Sequence, residues 1–564
     1  MSKKTKYIFV SGGVMSAVGK GVTAASISLL LKSHGYVVCP IKCENNLNVD
    51  FGTINPIEHG DPFLCFDGLE ADIDLGNYER FLNQEVGHKN FMTMGQLYST
   101  VISNERQMKY EGEDVEPIPH VVNEIIRRIK EAAKESNADF VVIELGGTVG
   151  EYENNNGLYY EAARLLSLKE QVANVHVTYV PVPPHINEPK TKPAQFGLKS
   201  LMSMGINPNF IIIRSERPVD EQRKYKFGLK FYVDHKDIFS CENLKNVYQV
   251  PVHLYKQNLD KRILKYFGIK PRKQKLDLIF WSDYSSKLLQ KYNKKLNIAI
   301  VGKYFATGDS NLIDSYYALI EAINHARIFN TQNVNLKFIN SDKQESSINT
   351  DLKNVDGIIV PIGWGERGTG GKIKAIKFAR ENKIPYLGLC YGMQLACVEY
   401  AQNVLKIKDA TSEEINPNTK NPIIHSIPFN ENYQVIKGEG TSMRLGTFDC
   451  VVKEGTLTHQ IYAKHKSFAD VKKSIIKERH RHRFEFNNKY REEFEKTGFV
   501  FSGTSPDDFF VEFIELPQDV HPFFIATQGH PEYKSAPQSP HPVFIEFLNA
   551  AGKKLRDIQS SFTL

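Results

Sequence analysis

The chain has 564 residues, of which 41% are hydrophobic and 11% aromatic, with 71 basic and 65 acidic side chains. This apolar content is ample for sizeable cores and excludes a largely disordered chain. A net charge of +6 over this length is too weak for a dedicated nucleic-acid or polyanion binder.

The N-terminal stretch MSKKTKYIFVSGG has too short an apolar run for a signal peptide, and no later apolar run is long enough to span a bilayer. The seven cysteines show no CxxC pair and no zinc-ligand spacing, a pattern typical of reduced thiols. The sequence therefore predicts a cytoplasmic protein with no membrane and no nucleic-acid partner.

Short apolar runs alternate with amphipathic stretches along the first half of the chain. The pattern predicts helices at 22–34 and 124–134 and strands at 6–10, 36–41, 140–145, 175–180 and 210–214. Strands that alternate with helices indicate a mostly parallel, doubly wound sheet.

Residues 269–296 are polar and lysine-rich, and a new α/β pattern follows them. This pattern predicts a helix at 314–327 and strands at 297–301, 335–339, 357–361 and 385–389. We therefore expect an α/β protein of two domains joined by a linker. They are a P-loop-like, Rossmann-type parallel-sheet domain over 1–270, a linker over 271–296 and a flavodoxin-like α/β domain over 297–564.

The segment SGGVMSAVGKGVTAAS lies between a predicted strand and a predicted helix. Glycines let a backbone approach phosphate oxygens, and a helix N-terminus adds positive potential, so we expect a nucleotide site with Lys20 at the outer phosphates. The match to GxxxxGK[ST] is imperfect, because Gly13 and Gly19 are one residue too far apart and Gly21 replaces the hydroxyl residue. The alternative is a purely structural turn.

Three acidic residues are candidates for holding magnesium beside this loop. Asp72 and Asp74 are two positions apart, so both point to one side of an extended segment. Glu144 ends a predicted strand, where ligands gather in open α/β sheets. Mg²⁺ is commonly held by one or two carboxylates and substrate phosphates. Spacing alone leaves open which of the three is a ligand and which is a solvated charge.

The sharpest motif is PYLGLCYGMQLA, which reads G-x-C-x-G between a predicted strand and a predicted helix. It is the thiol counterpart of a nucleophile elbow. The helix N-terminus favours the thiolate of Cys390, and the amide of Tyr391 would face a developing oxyanion. In the downstream GHPE, His530 supplies a base and Glu532 a group to orient it. The alternative is that Cys390 is a buried core thiol.

GLCYGMQLA with the downstream GHPE resembles the glutaminase domain of class I, triad-type glutamine amidotransferases. Together with SGGVMSAVGKG, INPIEHG, DIDLGNYERF, ELGGTVGEYE and KTKPAQ, it gives nearly the whole chain a resemblance to the CTP synthase family. The resemblance implies a ligase that aminates UTP to CTP with ATP and ammonia from L-glutamine, through a 4-phosphorylated UTP intermediate. It also implies Mg²⁺, GTP as an activator, CTP as a product inhibitor, and a homotetramer able to form filaments.

The resemblance also assigns roles by position in the first domain. It narrows the magnesium ligands to Asp74 and Glu144, and it places His59 at the ammonia passage. The residues that it implies for ATP are Ala17, Val18, Gly19, Lys20, Gly21, Val22, Lys42, Asp74, Glu242, Asn243 and Leu244. Those that it implies for UTP or CTP are Ser16, Glu151, Tyr152, Glu153, Lys190, Thr191, Lys192, Pro193, Ala194, Gln195 and Lys226.

In the second domain the resemblance makes Cys390, His530 and Glu532 the nucleophile, the base and the orienting group. The implied glutamine-binding residues are Gly363, Tyr391, Gly392, Met393, Gln394, Glu414 and Arg483, with the amides of Gly363 and Tyr391 as candidates for the oxyanion hole. One position departs from the family pattern: Ile362 stands where the first of two glycines is usual. If this position needs a positive φ, we expect strain at Ile362.

Two alternatives are weighed against this interpretation. One is an ATP-dependent glutamine amidotransferase with a different acceptor, against which KTKPAQ and ELGGTVGEYE argue. The other is a catalytically silent scaffold or filament subunit. The intact set of Cys390, His530, Glu532, Lys20, Asp74 and Glu144 argues against it.

Overall fold

The computed structural model describes residues 4–13, 15–55, 60–150, 156–291, 295–307, 310–311, 313–342, 345–428 and 442–561. The Cα positions divide the chain into two compact units. The first unit comprises Met1–Phe51 and Ala71–Gln290, and the second comprises Gly52–Glu70 and Lys291–Leu564. The Gly52–Glu70 segment thus packs in the second unit, which no pattern in the sequence predicts. The expected boundaries at residues 270 and 296 stay a prediction.

The first unit is built on one seven-stranded sheet. The strands in this part of the chain are β1 (Lys6–Gly12), β2 (Val38–Glu44), β3 (Phe63–Leu64), β4 (Glu70–Ala71), β5 (Phe91–Thr93), β6 (Phe140–Leu145), β7 (Gln171–Tyr179), β8 (Phe210–Ser215) and β9 (Ile238–Glu242). The sheet has the order β5-β2-β6-β1-β7-β8-β9, and β3 pairs separately with β4. Every neighbouring pair in the sheet is parallel.

Helices cover this sheet, so its central strands are buried along nearly their whole length, as β1 and β6 show. The helices are α1 (Lys20–Ser33), α2 (Ile73–Leu82), α3 (Met94–Arg106), α4 (Val122–Glu135), α5 (Gly157–Ser167), α6 (Lys192–Ser203), α7 (Glu221–Phe231), α8 (Val250–Lys256), α9 (Leu259–Tyr266) and α10 (Ile279–Leu289). The connection from β1 to α1 lies at the carboxyl edge of the sheet, between β6 and β7. Ligands bind at this edge in open α/β sheets.

The second unit contains a nine-stranded mixed sheet. The strands in this part of the chain, of which nine form the large sheet, are β10 (Lys295–Gly302), β11 (Ala306–Thr307), β12 (Ser310–Asn311), β13 (Asn333–Asn340), β14 (Gly357–Val360), β15 (Tyr386–Leu389), β16 (Ala410–Ser412), β17 (Asn421–Ser426), β18 (Arg444–Val452), β19 (Ile475–His482), β20 (Phe484–Phe486), β21 (Val500–Thr504), β22 (Val511–Glu515) and β23 (Phe524–Thr527). The large sheet runs β13-β10-β14-β15-β23-β22-β21-β18-β19.

Its first five strands are parallel and follow the chain order 2-1-3-4-5, which is the flavodoxin-like order. The remaining four extend the sheet in antiparallel fashion. The helices are α11 (Tyr317–Phe329), α12 (Glu345–Asp351), α13 (Thr369–Glu381), α14 (Tyr391–Asn403), α15 (Leu457–Lys464), α16 (Arg491–Glu495) and α17 (Pro542–Ser561). The predicted fold class is confirmed in both units.

Both faces of the parallel region carry a core. Ile358 and Val360 belong to one hydrophobic cluster, and Ile359, between them on β14, belongs to the other. Side chains alternate between the two faces of a strand, so layers of helices bury both sides of the sheet. In the described part of the chain, no helix is both long and apolar enough to cross a membrane.

An ion pair joins α13 to α14 and provides a test of this packing. Arg380 Nε and Nη2 lie 2.9 and 2.7 Å from the two carboxylate oxygens of Glu399, whose side chain is fully buried. We expect Arg380→Met to lower the free energy of unfolding by about 3–5 kcal/mol, because it leaves a buried carboxylate without its partner. Denaturant-induced unfolding of the second unit measures this loss.

The double variant Arg380→Met/Glu399→Met is the matched control. It should recover most of the lost stability, because neither charge then stays buried alone. A double variant no more stable than Arg380→Met would contradict this account of the pair.

Candidate functional site

Cys390 lies alone in the turn between β15, which ends at Leu389, and α14, which begins at Tyr391. Its backbone has φ +50° and ψ −100°, a conformation that residues other than glycine rarely adopt. The backbone N–H of Cys390 donates to the carbonyl of Thr527 at 2.7 Å, and the residue is only 2% exposed. Held in this way, Cys390 has the strained, fixed geometry of a nucleophile elbow.

The glycines of the G-x-C-x-G motif are required by close packing. A Cβ atom on Gly392 would lie 2.0 Å from the carbonyl oxygen of Val360, at the end of β14. On Gly388 it would lie 2.9 Å from the backbone carbonyl carbon of Gly392 in α14. These approaches bring α14 against the sheet and thereby place its N-terminus at the carboxyl ends of the strands.

His530 and Glu532 form the second part of this site. His530 Nδ1 lies 2.7 Å from Glu532 Oε1, and both side chains are buried. Burial alone would lower the pKa of His530, but Glu532 and the nearby Cys390 sulfur outweigh it and raise that pKa to about 10. The structure therefore brings the three predicted catalytic residues together, and His530 Nδ1 is paired with Glu532.

Gln528 also contacts the sulfur, although it belongs to no motif predicted from the sequence. Its Nε2 lies 3.5 Å from Cys390 Sγ, and its Oε1 accepts a hydrogen bond from Gln394 Nε2 at 3.2 Å. Gln394 Nε2 also donates to the carbonyl of Phe484 at 2.9 Å. The signal for Gln528 in the sequence is its position two residues before His530.

The loop 361–365, which follows β14, corrects one expectation. Ile362 is not among the residues with positive φ, so the strain expected there does not arise. Its side chain is 2% exposed and packs in the same hydrophobic cluster as Cys390. An isoleucine fits this position because the backbone is ordinary and the side chain fills core space.

A cavity of about 500 Å³ beside this loop contains two of the predicted glutamine-binding residues, Glu414 and Arg483. Burial raises the pKa of Glu414 and lowers the pKa of Arg483. Met393, from the same predicted set, lies instead in the hydrophobic core. The remaining wall of the cavity comes from Trp364, Met443, Arg481, Phe484, Gly52, Thr53, Ile54, Asn55 and Glu70.

The Gly52–Glu70 segment is fastened next to the catalytic residues by buried charges. Arg481 Nη1 lies 2.9 Å from Asp61 Oδ1, and Arg481 Nε pairs with Glu70. Tyr533, which follows Glu532, donates from its hydroxyl to Asp61 Oδ2 at 2.6 Å. None of these contacts is visible in a local sequence pattern. The predicted His59 lies outside the described residues.

The phosphate loop of the first unit has the predicted place, between β1 and α1. The side chain of Lys20 lies across Gly12, where an added Cβ would be 2.7 Å from Lys20 Cδ. Lys20 Nζ donates to the carbonyl of Gly147 at 2.8 Å. Burial lowers the pKa of Lys20, and Glu144 opposes this shift. Ser16 and Ala17 are exposed on the loop, and Gly19 has φ +93°.

Asp74 explains why Gly21 replaces the usual hydroxyl residue. A Cβ atom on Gly21 would lie 2.0 Å from Asp74 Oδ1. The space that a serine or threonine would fill in GxxxxGK[ST] is therefore taken by a carboxylate. The departure from the motif brings an acidic group against the first turn of α1.

Lys42, on β2, lies at the centre of a group of carboxylates. Its Nζ is 2.8 Å from Asp74 Oδ2, 2.8 Å from Glu144 Oε1 and 3.3 Å from Glu44 Oε1. Burial opposes the charge of Lys42, but Asp74 and Glu144 outweigh burial and hold its pKa well above the usual range. Tyr78 donates to the other oxygen of Glu144 at 2.5 Å.

Asp72 and Asp74 differ in their surroundings. Asp72 caps the N-terminus of α2, where its Oδ1 accepts from the N–H of Asp74 at 2.8 Å. Burial raises the pKa of Asp72 to about 7, although Lys42 opposes the shift. For Asp74, burial is outweighed by Lys42, and its pKa is lowered. The carboxylate of Asp74 therefore keeps its negative charge to a lower pH than that of Asp72 does.

Asp74 and Glu144 are chemically suited to bind magnesium, because their carboxylates supply the oxygen ligands that Mg²⁺ prefers. Among the described residues, no group of three or more histidine, cysteine, aspartate or glutamate side chains forms a metal site. A magnesium ion here would therefore draw on one or two carboxylates and on substrate phosphates.

Arg214 links the phosphate loop to the segment predicted for adenine. Its Nη2 donates to Asn243 Oδ1 at 3.0 Å, and a Cβ on Gly19 would lie 3.0 Å from its Nη1. Glu242 ends β9 at the same edge of the sheet, directly before Asn243 and Leu244. Sequence reasoning missed Arg214, whose signal is its place at the end of β8.

Three residues predicted for UTP or CTP line one cavity of about 420 Å³: Thr191, Gln195 and Lys226. Arg223 and Lys230 add positive charge to its wall and were not predicted. Other predicted residues have different surroundings. Lys190 pairs with Glu188 at 2.8 Å, Lys192 and Pro193 open α6, Ala194 is buried in a core, and Glu151, Tyr152 and Glu153 lie outside the described residues.

A cysteine elbow with a His–Glu pair is typical of class I glutamine amidotransferases. The family model described as glutamine amidotransferase class-I matches residues 311–550, and the model described as CTP synthase N-terminus matches residues 6–269. The CTP synthase of Caldanaerobacter subterraneus subsp. tengcongensis is 42% identical over 549 residues, which are 97% of this chain and 98% of the relative. The CTP synthase of Pyrococcus abyssi is 44% identical over 554 residues, which are 97% of this chain and 98% of the relative.

The chain belongs to the CTP synthase family, whose members are glutamine-hydrolysing ligases, and the family predicted from the sequence is confirmed. The solved glutaminase domain of Trypanosoma brucei CTPS with bound acivicin is also similar. It is 32% identical, covers 46% of this chain and 94% of its own, and has a TM-score of 0.39.

The packing of Gly392 against Val360 gives a testable prediction. We expect Gly392→Ala to lower the rate of glutamine hydrolysis by about 100-fold, because the added methyl group displaces α14 and with it Cys390. Steady-state kinetics of glutamate release measures this effect.

Gly370→Ala is the matched control. Gly370 is the second residue of α13, as Gly392 is of α14, but a Cβ there meets nothing within 4 Å. This variant should keep the parent rate. Equal losses in both variants would show that the contact with Val360 is not the cause.

Proposed function

We propose that this chain catalyses the ATP-dependent amination of UTP to CTP with ammonia released by hydrolysis of L-glutamine. One observation carries the proposal. A single chain of the CTP synthase family holds both the Cys390 elbow with His530 and Glu532 and a lysine-bearing phosphate loop beside a group of carboxylates.

Glutamine hydrolysis follows from the geometry of the elbow. His530 takes the thiol proton on Nε2, because its Nδ1 is paired with Glu532. The raised pKa of His530 favours the protonated imidazole that this transfer produces. The thiolate attacks the amide carbon of glutamine, and the oxyanion faces the amides of Gly363 and Tyr391.

His530 then returns its proton to the leaving nitrogen, and ammonia departs. Water hydrolyses the thioester and releases glutamate. In the cavity of about 500 Å³, the carboxylate of Glu414 suits the ammonium group of glutamine and the guanidinium of Arg483 suits its carboxylate. Tyr391, Gly392, Met393 and Gln394 stay in the proposed glutamine-binding set as parts of the helix that carries Cys390 at its N-terminus. The side chain of Met393 is buried in the core, so Met393 would contribute through its backbone.

ATP binds in this proposal at the loop of Ala17, Val18, Gly19, Lys20, Gly21 and Val22. Lysines suit triphosphates because the ammonium group is a compact charge. Lys42 faces the transferring group, and Glu242, Asn243 and Leu244 lie near adenine. Asp74 and Glu144 would hold Mg²⁺, which when bound neutralises charge on the phosphates.

The γ-phosphoryl group passes to O4 of UTP, ammonia bonds to C4, and phosphate leaves with O4 to give CTP. We place UTP or CTP in the cavity of Thr191, Gln195 and Lys226. Ser16, Glu151, Tyr152, Glu153, Lys190, Lys192, Pro193 and Ala194 remain proposed contacts. Ammonia must travel as the neutral base through a passage that excludes water, and His59 is proposed to lie there.

Further parts of the proposal rest on the family resemblance. They are activation by GTP, inhibition by CTP, a homotetramer able to form filaments, a cytoplasmic location, and the domain boundaries at 270 and 296. None of them carries the assignment of the reaction.

Replacement of the nucleophile tests the division of labour. We expect Cys390→Ala to reduce glutamine-driven CTP formation at least about 1,000-fold, because the thiolate is lost. Ammonia-driven formation should stay within about twofold, since ammonia replaces the product of the lost step. The assay follows CTP from UTP and ATP, first with glutamine and then with ammonium salt.

Cys397→Ala is the matched control. Cys397 lies on the same helix and is fully buried in the core. It should retain both activities. Loss of both activities in a folded Cys390→Ala protein would contradict a separate ammonia-producing site.

A second pair of variants tests the carboxylates of the first unit. Asp74→Asn should reduce CTP formation about 100-fold with either nitrogen source, the scale expected when one preorganised charge is lost. Asp72→Asn should stay within about fivefold, because asparagine caps a helix as well as aspartate does. Titration of Mg²⁺ in both variants shows whether the loss follows metal affinity, and the reverse ranking of the two would exclude Asp74 as the ligand.

A further inference from the structure

Two buried lysines, Lys303 and Lys372, lie behind the loop 361–365. Lys303 follows β10 and is 2% exposed, and Lys372 lies in α13 and is fully buried. Within the described chain, neither amine contacts a carboxylate. Lysines are seldom buried without a pairing group, so this arrangement needs an explanation.

Both amines bind carbonyl oxygens of the loop. Lys372 Nζ lies 2.8 Å from the oxygen of Pro361 and 3.3 Å from that of Ile362. Lys303 Nζ lies 3.0 Å from the oxygen of Gly365 and also contacts that of Trp364. Four of the five loop carbonyls therefore point to one of the two lysines, which we call the two-lysine clamp.

The clamp fixes the direction of the loop N–H groups. In a trans peptide the C=O group and the following N–H point in opposite directions. At Trp364 the carbonyl faces Lys303, and the next N–H, that of Gly365, donates away to Glu414 Oε1 at 2.6 Å. By the same geometry, a carbonyl of Ile362 that faces Lys372 turns the N–H of Gly363 away from the clamp.

Tyr391 connects the clamp to the other oxyanion donor. The Nζ atoms of Lys303 and Lys372 lie 5.2 and 5.1 Å from the centre of the Tyr391 ring, within cation–π range. The Tyr391 hydroxyl donates to the oxygen of Gly365 at 2.8 Å. The residue that carries the second amide is thus packed on the same two amines.

The geometry points to Lys372, supported by Lys303, as a positioning residue that aims the amides of Gly363 and Tyr391 at the oxyanion formed on Cys390. The inference deepens the proposed glutamine hydrolysis and rests on it. Neither lysine touches the substrate in this role. Each acts through the loop, whose backbone would otherwise be free to turn.

The electrostatics of the clamp is consistent with this role. Burial, with the charge of Lys303 added, lowers the pKa of Lys372 well below its usual range, and burial lowers that of Lys303 to about 8. An amine that has lost its extra proton still donates two hydrogen bonds, as many as the carbonyls that each lysine contacts. Each lysine can therefore bind its two carbonyls with or without the extra proton, and Glu414 and Asp342 oppose both pKa shifts.

Lys372→Met in the full chain tests the inference. We expect kcat for glutamine hydrolysis to fall about 10- to 100-fold, at or below the loss seen when an oxyanion donor is removed. KM for glutamine should change less than about threefold, because the oxyanion that the two amides stabilise forms only after the thiolate attacks. Ammonia-driven CTP formation should stay within about twofold, because ammonia replaces the product of glutamine hydrolysis.

Lys377→Met is the matched control. It is the same exchange on the same helix, at a side chain that is 43% exposed and bonded to Asn403. It should change neither kcat nor KM. Lys303→Met should reproduce the pattern of Lys372→Met, and it decides the matter if Lys372→Met does not fold.

Inhibition by an aldehyde analogue of glutamine, glutamate γ-semialdehyde, separates positioning from general structure. This probe forms a tetrahedral adduct with the thiolate and needs the oxyanion donors to bind tightly. Its affinity should fall in Lys372→Met by the same factor as kcat. Glutamine affinity, measured in a Cys390→Ala background, should not change.

Clear outcomes would overturn the inference. One is glutamine hydrolysis within twofold of the parent in both clamp variants, and another is a parallel loss of ammonia-driven synthesis. If the parent chain itself releases no glutamate from glutamine, the proposed function fails first and the clamp fails with it.

Discussion

The arrangement of the cysteine site in the second unit depends on the close approach of Gly392 to the carbonyl oxygen of Val360. This contact sets the height of α14 above the sheet, and Cys390 takes its strained backbone because the strand and the helix meet so closely. Val360 is also the last residue of β14, and the loop 361–365 follows it directly. One backbone approach therefore joins the helix that follows Cys390 to the strand that precedes the loop with Gly363.

The first unit uses a glycine at the equivalent position of its own helix. Gly21 is the second residue of α1, as Gly392 is of α14, and each follows a strand end. At Gly392 the missing side chain admits a backbone carbonyl, and at Gly21 it admits the carboxylate of Asp74. In both units, the glycine leaves room that a side chain would fill. In the second unit the helix packs closely on the sheet there, and in the first unit a carboxylate lies beside the phosphate loop.

The fold class and the cysteine site could be predicted because their signals are local. Periodicity predicted the strands, and the order of Cys390, His530 and Glu532 indicated the candidate chemistry. Arg214, Lys372 and Asp61 were missed, since each contacts residues far away in the sequence and sits in no recognisable motif. The strain expected at Ile362 if this position had a positive φ does not arise, because Ile362 is not among the residues with positive φ.

The assignment of the Gly52–Glu70 segment to the second unit affects how this protein can be divided. The chain passes between the units after Phe51, after Glu70 and after Gln290, so they share three covalent connections and not one. A fragment that starts at Lys291 would lack Asp61 and Glu70, and Arg481 would lose both carboxylates that neutralise it. It would also lose one wall of the cavity that holds Glu414 and Arg483. The glutaminase half is therefore not a contiguous piece of the sequence, and cutting at the linker removes part of it.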